Sequence, residues 1–465
     1  MSNVLDLVDQ AFFRLDRAAG VAQVVWVYDR PVDTEGLRRF HQHLQRGRLS
    51  RHIERSPLPF GRHRWVTPAG QPALEIATAP RPREEFDAWL AEQADVALDA
   101  EHGPGWRLSV LSFVDGGTGL SLVLSHCVTD GIGGSLAILE AAYGYDHTFN
   151  WPAAGSRRRW RALREDARQT ARDIPSIGRA ALAAARFARR ARRSRAVEPT
   201  LTASIAPIGP ADEIATLPTA TVFIDADEWD ARAHWLGGTS NTLLAAVAAR
   251  LASAAGRVGP DGLAHLAIPV NERTADDTRA NAVAMLDVTV DPAPAAIDLR
   301  QIRAAVKQAL IRHGAVPDEK SALLPLVPLL PRRVANRMVA VATGGARNVV
   351  VASNIGAAPP AVNRPDGTEA GHVAVRFLYP GLTKATVEQI GGLLCVHSAR
   401  VGPQVFVSVL GYQPGLENTT EALHQRLSSV LSEFSMTGTT GWPYGEPVPA
   451  TQESGRSATS MGANT

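Results

Sequence analysis

The sequence predicts an α/β protein built from two strand-rich halves joined by a basic helical connector. Three observations lead there. At 465 residues the chain exceeds what one hydrophobic core usually supports. Apolar runs of strand length alternate with stretches in which apolar residues recur every three or four positions. Between the two halves the composition shifts to many arginines and few acids. The expected divisions are 1–155, 156–215 for the connector, 216–435 for the second half, and 436–465. That last stretch is rich in Gly, Pro, Ser and Thr and is expected to be disordered.

In the first half, residues 22–28 read as a buried strand and 34–46 as a helix with Leu37, Phe40 and Leu44 on one face. Residues 106–114 and 119–125 read as two strands turning at Asp115-Gly116-Gly117, and 134–142 as a helix. In the connector, Trp160, Leu163, Ala167, Ala171 and Ile174 repeat at helical spacing up to Pro175. Ile177, Ala181, Ala184, Ala188 and Ala191 resume the repeat, so two basic amphipathic helices are expected. In the second half, strands are expected over 220–224, 263–270, 283–290, 348–353, 391–399 and 403–411. Helices are expected over 227–236, 241–255 and 418–434, the second capped by Ser240 or Asn241. Prolines spaced by three in residues 323–331, followed by Arg332 and Arg333, forbid a regular α-helix and predict an extended or kinked apolar segment.

Composition narrows the function classes. A formal net charge of +2 names no partner, and the arginines of the connector lack the aromatic ladder of a nucleic-acid site. Two cysteines, Cys127 and Cys395, cannot form a disulfide framework and suit a reducing cytosol. Neither a secretory signal nor a membrane-spanning run is expected. The sequence carries no G-x-S-x-G elbow, phosphate loop or dinucleotide fingerprint. A zinc site at His126 and Cys127 with Cys395 and His397 is not expected, because neighbours on an extended strand point to opposite faces.

The chemistry concentrates at Ser125-His126-Cys127-Val128-Thr129-Asp130-Gly131, delivered by the apolar run 120–124 into a glycine-rich turn. A histidine and an acid four positions apart at the end of a buried strand suit a positioned general base. Gly131 and Gly133 give the backbone room for close approach to a substrate.

This segment resembles the His-His-x-x-x-Asp-Gly motif of the acyl-CoA-dependent acyltransferase superfamily. That superfamily includes chloramphenicol acetyltransferase, peptide synthetase condensation domains and wax ester synthase/diacylglycerol acyltransferases. Here the first histidine is Ser125 and the second is His126. The bacterial wax ester synthase/diacylglycerol acyltransferase branch is similar at further landmarks, in the same order along the chain. They are residues 5–13, Gly103-Pro104-Gly105-Trp106-Arg107-Leu108, Ser240-Asn241-Thr242-Leu243-Leu244-Ala245, residues 267–273, Arg279-Ala280-Asn281 and Ser353-Asn354-Ile355-Gly356. Against that branch Gly105 replaces a leucine and Thr242 an aspartate.

The resemblance implies two chloramphenicol acetyltransferase-like α/β sandwich domains with a central tunnel, and a histidine at its middle. His126 would take the proton of an acceptor hydroxyl as it attacks an acyl thioester, with no acyl-enzyme. Asp130 would hold an arginine, for which Arg273 and Arg279 are the candidates. Ser125 and Gly131 would line the substrate space, and Asn241 and Asn354 would either donate to the acyl carbonyl or serve as cap and turn residues. The implied partners are acyl-CoA, as a substrate and not a cofactor, and a lipid-type alcohol such as diacylglycerol or a long-chain alcohol. No metal, other cofactor or nucleic acid is implied. Two alternatives keep the fold: a natural-product or cell-envelope acyltransferase fed by a carrier protein or CoA, and a lipid-binding or scaffolding module without turnover. The expected location is cytoplasmic. The connector either adheres to an anionic membrane surface or lipid droplet, or docks a small apolar face on the protein and leaves its arginines in water.

Overall fold

The computed structural model describes residues 3–15, 19–146, 149–195, 213–274, 277–315, 321–330 and 348–443. The chain opens with α1 (Leu7–Leu15), β1 (Val21–Tyr28), α2 (Thr34–Arg46), β2 (His52–Glu54), β3 (Arg64–Val66), β4 (Leu74–Ile76) and α3 (Phe86–Asp95). Next come the hairpin of β5 (Trp106–Ser112) and β6 (Thr118–Ser125), then α4 (Gly131–Ala142) and α5 (Arg159–Arg195). The second half begins with β7 (Thr219–Asp225), α6 (Ala226–Trp235), α7 (Ser240–Ala254), β8 (Ala264–Asn271), β9 (Val283–Val290) and α8 (Arg300–Ala315). It ends with β10 (Val349–Ala358), β11 (His372–Leu378), α9 (Lys384–Gln389), β12 (Leu393–Val401), β13 (Gln404–Tyr412), α10 (Thr420–Glu433) and β14 (Thr439–Thr440).

These strands form two large mixed sheets, ordered β11-β1-β6-β5-β4 and β14-β7-β13-β12-β10-β8-β9. Every residue of β1 and β6 is buried, which is why both read as continuous apolar runs instead of alternating ones. β11 comes from the second half yet pairs antiparallel with β1, Val24 facing Val375. The halves therefore interlock. Phe223, Phe406 and Trp442 from the second half share a core cluster with Trp26, Phe86 and Trp106 from the first.

Four expectations are corrected. Pro175 does not divide the connector: α5 runs through it as one helix, its inner face held by Ala162 and Ala180 against the protein. A proline removes one N–H, and packing along that face outweighs the loss. The proline-rich segment is neither extended nor merely kinked. Residues Ser321–Leu329 form a 3₁₀ helix, whose three-residue turn matches the spacing of Pro325 and Pro328. Arg14 donates to the carbonyls of Pro328 and Leu330 at its end, while Arg332 and Arg333 lie outside the described residues. The cap of α7 is Thr239, not Ser240 or Asn241, with Thr242 closing a reciprocal capping box. Finally, order continues past 435: β14 pairs with β7, and Trp442 is buried and donates to Asp87. Residues 444–465 lie outside the described residues.

Candidate active site

His126 sits in the turn that follows β6, at the one position of the 120–130 segment that is not fully buried. The turn is pinned from several directions. Ser125 N–H donates to the Gly105 carbonyl, His126 N–H to Gly20, and Asp130 N–H to Ala280. Cys127 N–H donates to Ser125 Oγ at 3.2 Å, so the serine in the first-histidine position closes the turn. Gly105 is needed where a leucine stands in the resembling branch, since a Cβ there would come within 2.8 Å of Val128 Cγ1.

The imidazole is gripped on one edge. His126 Nδ1 lies 3.0 Å from Asn281 Oδ1, and Asn281 Nδ2 donates to the His126 carbonyl at 3.0 Å and to Asp9 Oδ1 at 3.2 Å. Among the described residues no hydrogen-bond partner meets Nε2. Phe12 stacks on the ring at 4.8 Å and 11°, while Phe377 approaches at 5.7 Å and in turn stacks on His397. Burial lowers the His126 pKa, offset in part by the Asp130 charge, by Asn281 and by its own carbonyl. His397, more deeply buried and close to His126, is pushed down to about 3. Both rings are therefore neutral at physiological pH.

Asp130 makes no hydrogen bond to the ring among the described residues and organises the loop. Its carboxylate accepts from Gly133 N–H at 2.6 Å, from Ala282 N–H at 2.7 Å and from Arg273 Nη2 at 2.9 Å. It is the N-cap of α4, so the loop ends where that helix starts. Of the two candidate arginines, Arg273 is the partner, whereas Arg279 pairs with Asp277. Arg273 also donates to the carbonyls of Arg279 and Ala280, bracing the segment that carries Asn281. A Cβ at Gly133 would meet Thr129 Oγ1 at 2.6 Å, whereas one at Gly131 would make an ordinary 3.4 Å contact with Phe377.

Neither Asn241 nor Asn354 makes a hydrogen bond to His126 among the described residues. Asn241 is exposed on the first turn of α7. Asn354 donates to Ser240 Oγ at 3.2 Å and accepts from Gly356 N–H at a register shift in β10, where Gly356 has φ of 92°. Sequence reasoning missed Asp9, Phe12, Asn281 and Phe377 as neighbours of His126, and Arg51, and grouped His397 with His126 only in the zinc site it rejected. Buried Arg51 donates to the Val128 and Thr278 carbonyls, tying the His126 turn to the segment before Asn281. Most of these residues are brought to the site from far along the chain, and none lies in a local motif with it.

Neither a family profile nor a curated protein sequence matches the chain. Solved structures do match in fold. The first condensation domain of the CDA synthetase superposes with a TM-score of 0.55 at 13% identity, over 94% of this chain and 99% of that one. The wax ester synthase/diacylglycerol acyltransferase from Marinobacter aquaeolei VT8 gives 0.50 at 16%, over 94% and 99%. The epimerization domain from the third module of tyrocidine synthetase B gives 0.51 at 13%, over 94% and 96%. The chain thus has the mixed α/β fold of condensation domains.

Proposed function

We propose that this chain, built on the condensation-domain fold, is an O-acyltransferase that moves a fatty acyl group from acyl-CoA to a lipid-type alcohol, with His126 as general base. The observation that carries the proposal is an imidazole held by its Nδ1 edge, with Nε2 unpartnered, at the end of a buried strand in this fold. The acceptor O–H gives its proton to Nε2 as the oxygen bonds to the thioester carbon. The C–S bond then breaks, and the thiolate takes the proton back from the imidazolium. Holding donor and acceptor together replaces a bimolecular encounter with an oriented one, which can contribute several kcal/mol. Acceptor-dependent release of free CoA tests the proposal. A second proposal, favoured by the condensation domains among the structural neighbours, takes the acyl group from a carrier protein. It is distinguished by turnover with an acyl group loaded on the phosphopantetheine arm of a carrier protein and none with acyl-CoA.

The working form of His126 is the neutral one. Because burial lowers its pKa, the base persists below the ordinary 6.5 and is lost only as pH falls through the depressed value. Asp9, pushed up to about 6 by burial against the pull of Arg51, takes up its proton as pH falls through that value. The acid limb of kcat/KM is therefore expected below the ordinary histidine value of 6.5 and to report the coupled groups together. A limb centred above pH 7 would contradict a buried neutral base.

Peripheral contact with an anionic membrane surface belongs to the same proposal and rests on α5. Trp160, Ile174 and Leu182 are 84%, 61% and 61% exposed. At 100° per residue they fall within about 80° of one another. Exposed Arg164, Arg168, Arg172 and Arg179 lie along one flank of that stripe, between it and the face of buried Ala162 and Ala180. An apolar stripe edged by arginines suits an anionic lipid surface. Among the described residues no helix is long and apolar enough to cross a membrane. Flotation with vesicles containing phosphatidylglycerol is expected, with loss in the triple variant Trp160→Ser, Ile174→Ser, Leu182→Ser. Equal flotation of the two proteins would remove this part of the proposal.

A further inference from the structure

We propose that Asp9 is a positioning residue for His126, holding the imidazole, through the side chain of Asn281, as the Nδ1–H tautomer with Nε2 free. Its catalytic consequence rests on the acyl-transfer proposal; the tautomer itself does not. Asp9 lies on α1 and Asn281 just before β9, 272 residues apart in sequence. The Asp9 side chain has no exposed surface, and every group bonded to its carboxylate is a donor. Ala280 N–H reaches Oδ2 at 3.0 Å, Asn281 N–H reaches Oδ1 at 2.8 Å, and Asn281 Nδ2 reaches Oδ1 at 3.2 Å.

An ionised carboxylate only accepts, so this arrangement decides which way the Asn281 amide points. Its nitrogen sits between two acceptors, Asp9 Oδ1 and the His126 carbonyl. That leaves Oδ1 facing the ring, and an amide oxygen cannot donate. Nδ1 must therefore carry the proton, and Nε2 keeps the lone pair that an acceptor hydroxyl would need. Around Asp9 the charged groups are Arg51, which draws its pKa down, and Asp6 on its own chain segment, which raises it. Arg51 in turn feels Asp130, Arg273 and Arg48, so two acids and three arginines act on one another beneath the turn. Phe12, three residues after Asp9 on the same helix, stacks on the ring that Asp9 orients. One turn of α1 thus fixes both the plane and the tautomer of the base.

Asp9→Asn keeps the shape and removes the rule. Its amide nitrogen must face either the Ala280 N–H or the Asn281 donors, and the Asn281 side chain loses its reason to stay. We expect kcat to fall about 10- to 100-fold, with KM for acyl-CoA changed by less than about twofold. In 15N spectra of histidine-labelled protein, with His126 assigned from His126→Gln, the wild type should carry the proton on Nδ1. Asp9→Asn should gain an Nε2–H population. The double variant Asp9→Asn, Asn281→Ala should be no slower than the slower single variant. A wild-type ring protonated on Nε2 would overturn the proposal, and this measurement stands even if Asp9→Asn fails to fold. An unchanged tautomer in a folded Asp9→Asn protein would also overturn it. If no acceptor is turned over, the acyl-transfer proposal fails and the tautomer still decides this one.

Discussion

His126→Ala is expected to reduce acceptor-dependent thiol release by about 100- to 10,000-fold, the range that a positioned general base contributes. The loss should fall on kcat, because the ring meets the reacting hydroxyl and not the bulk of either substrate. Stability should change far less. Removing the ring leaves Asn281 Oδ1 without its donor and Phe12 without its stacking partner, a cost of about 1–3 kcal/mol. Circular dichroism and a urea transition would separate a missing base from a missing fold.

Arg273→Ala is expected to have the largest effect on stability, about 3–5 kcal/mol by urea denaturation. The Arg273 and Asp130 side chains are only 5% and 7% exposed, so deleting one leaves the other charged group buried without its partner. Two backbone carbonyls before Asn281 lose their donor at the same time. Activity should therefore fall together with stability, unlike the His126 variant. Arg279→Ala removes a more solvent-exposed ion pair to Asp277 and should cost about 1 kcal/mol. Equal costs for the two arginines would contradict the assignment of Arg273 to Asp130.

Much of the fold could be read along the chain because its central strands are continuous apolar runs. β1, β6 and the β12–β13 hairpin follow directly from them, and the turns between neighbours carry glycine. β11 could not be placed in this way, because pairing with β1 across some 350 residues leaves no local signal. Pro175 and the proline-rich segment misled for the opposite reason: the local rule is sound, and tertiary packing or a tighter helix overrode it. At the site, His126 and Asp130 stand in one motif and were legible together. The choice between Arg273 and Arg279 was not, since both flank the same loop and only geometry separates them. Asp9 and Asn281 stood in two distant landmark segments with no role assigned to either. Their role emerges only where three chain segments meet around the imidazole.

General-base catalysis by His126 is tested by measuring free thiol released from palmitoyl-CoA by wild type and His126→Ala side by side. Diacylglycerol, a long-chain alcohol and small hydroxylated metabolites would serve as acceptors. Release is expected to require both an acceptor and His126, with an esterified acceptor as the product. Turnover retained in a folded His126→Ala protein would contradict it.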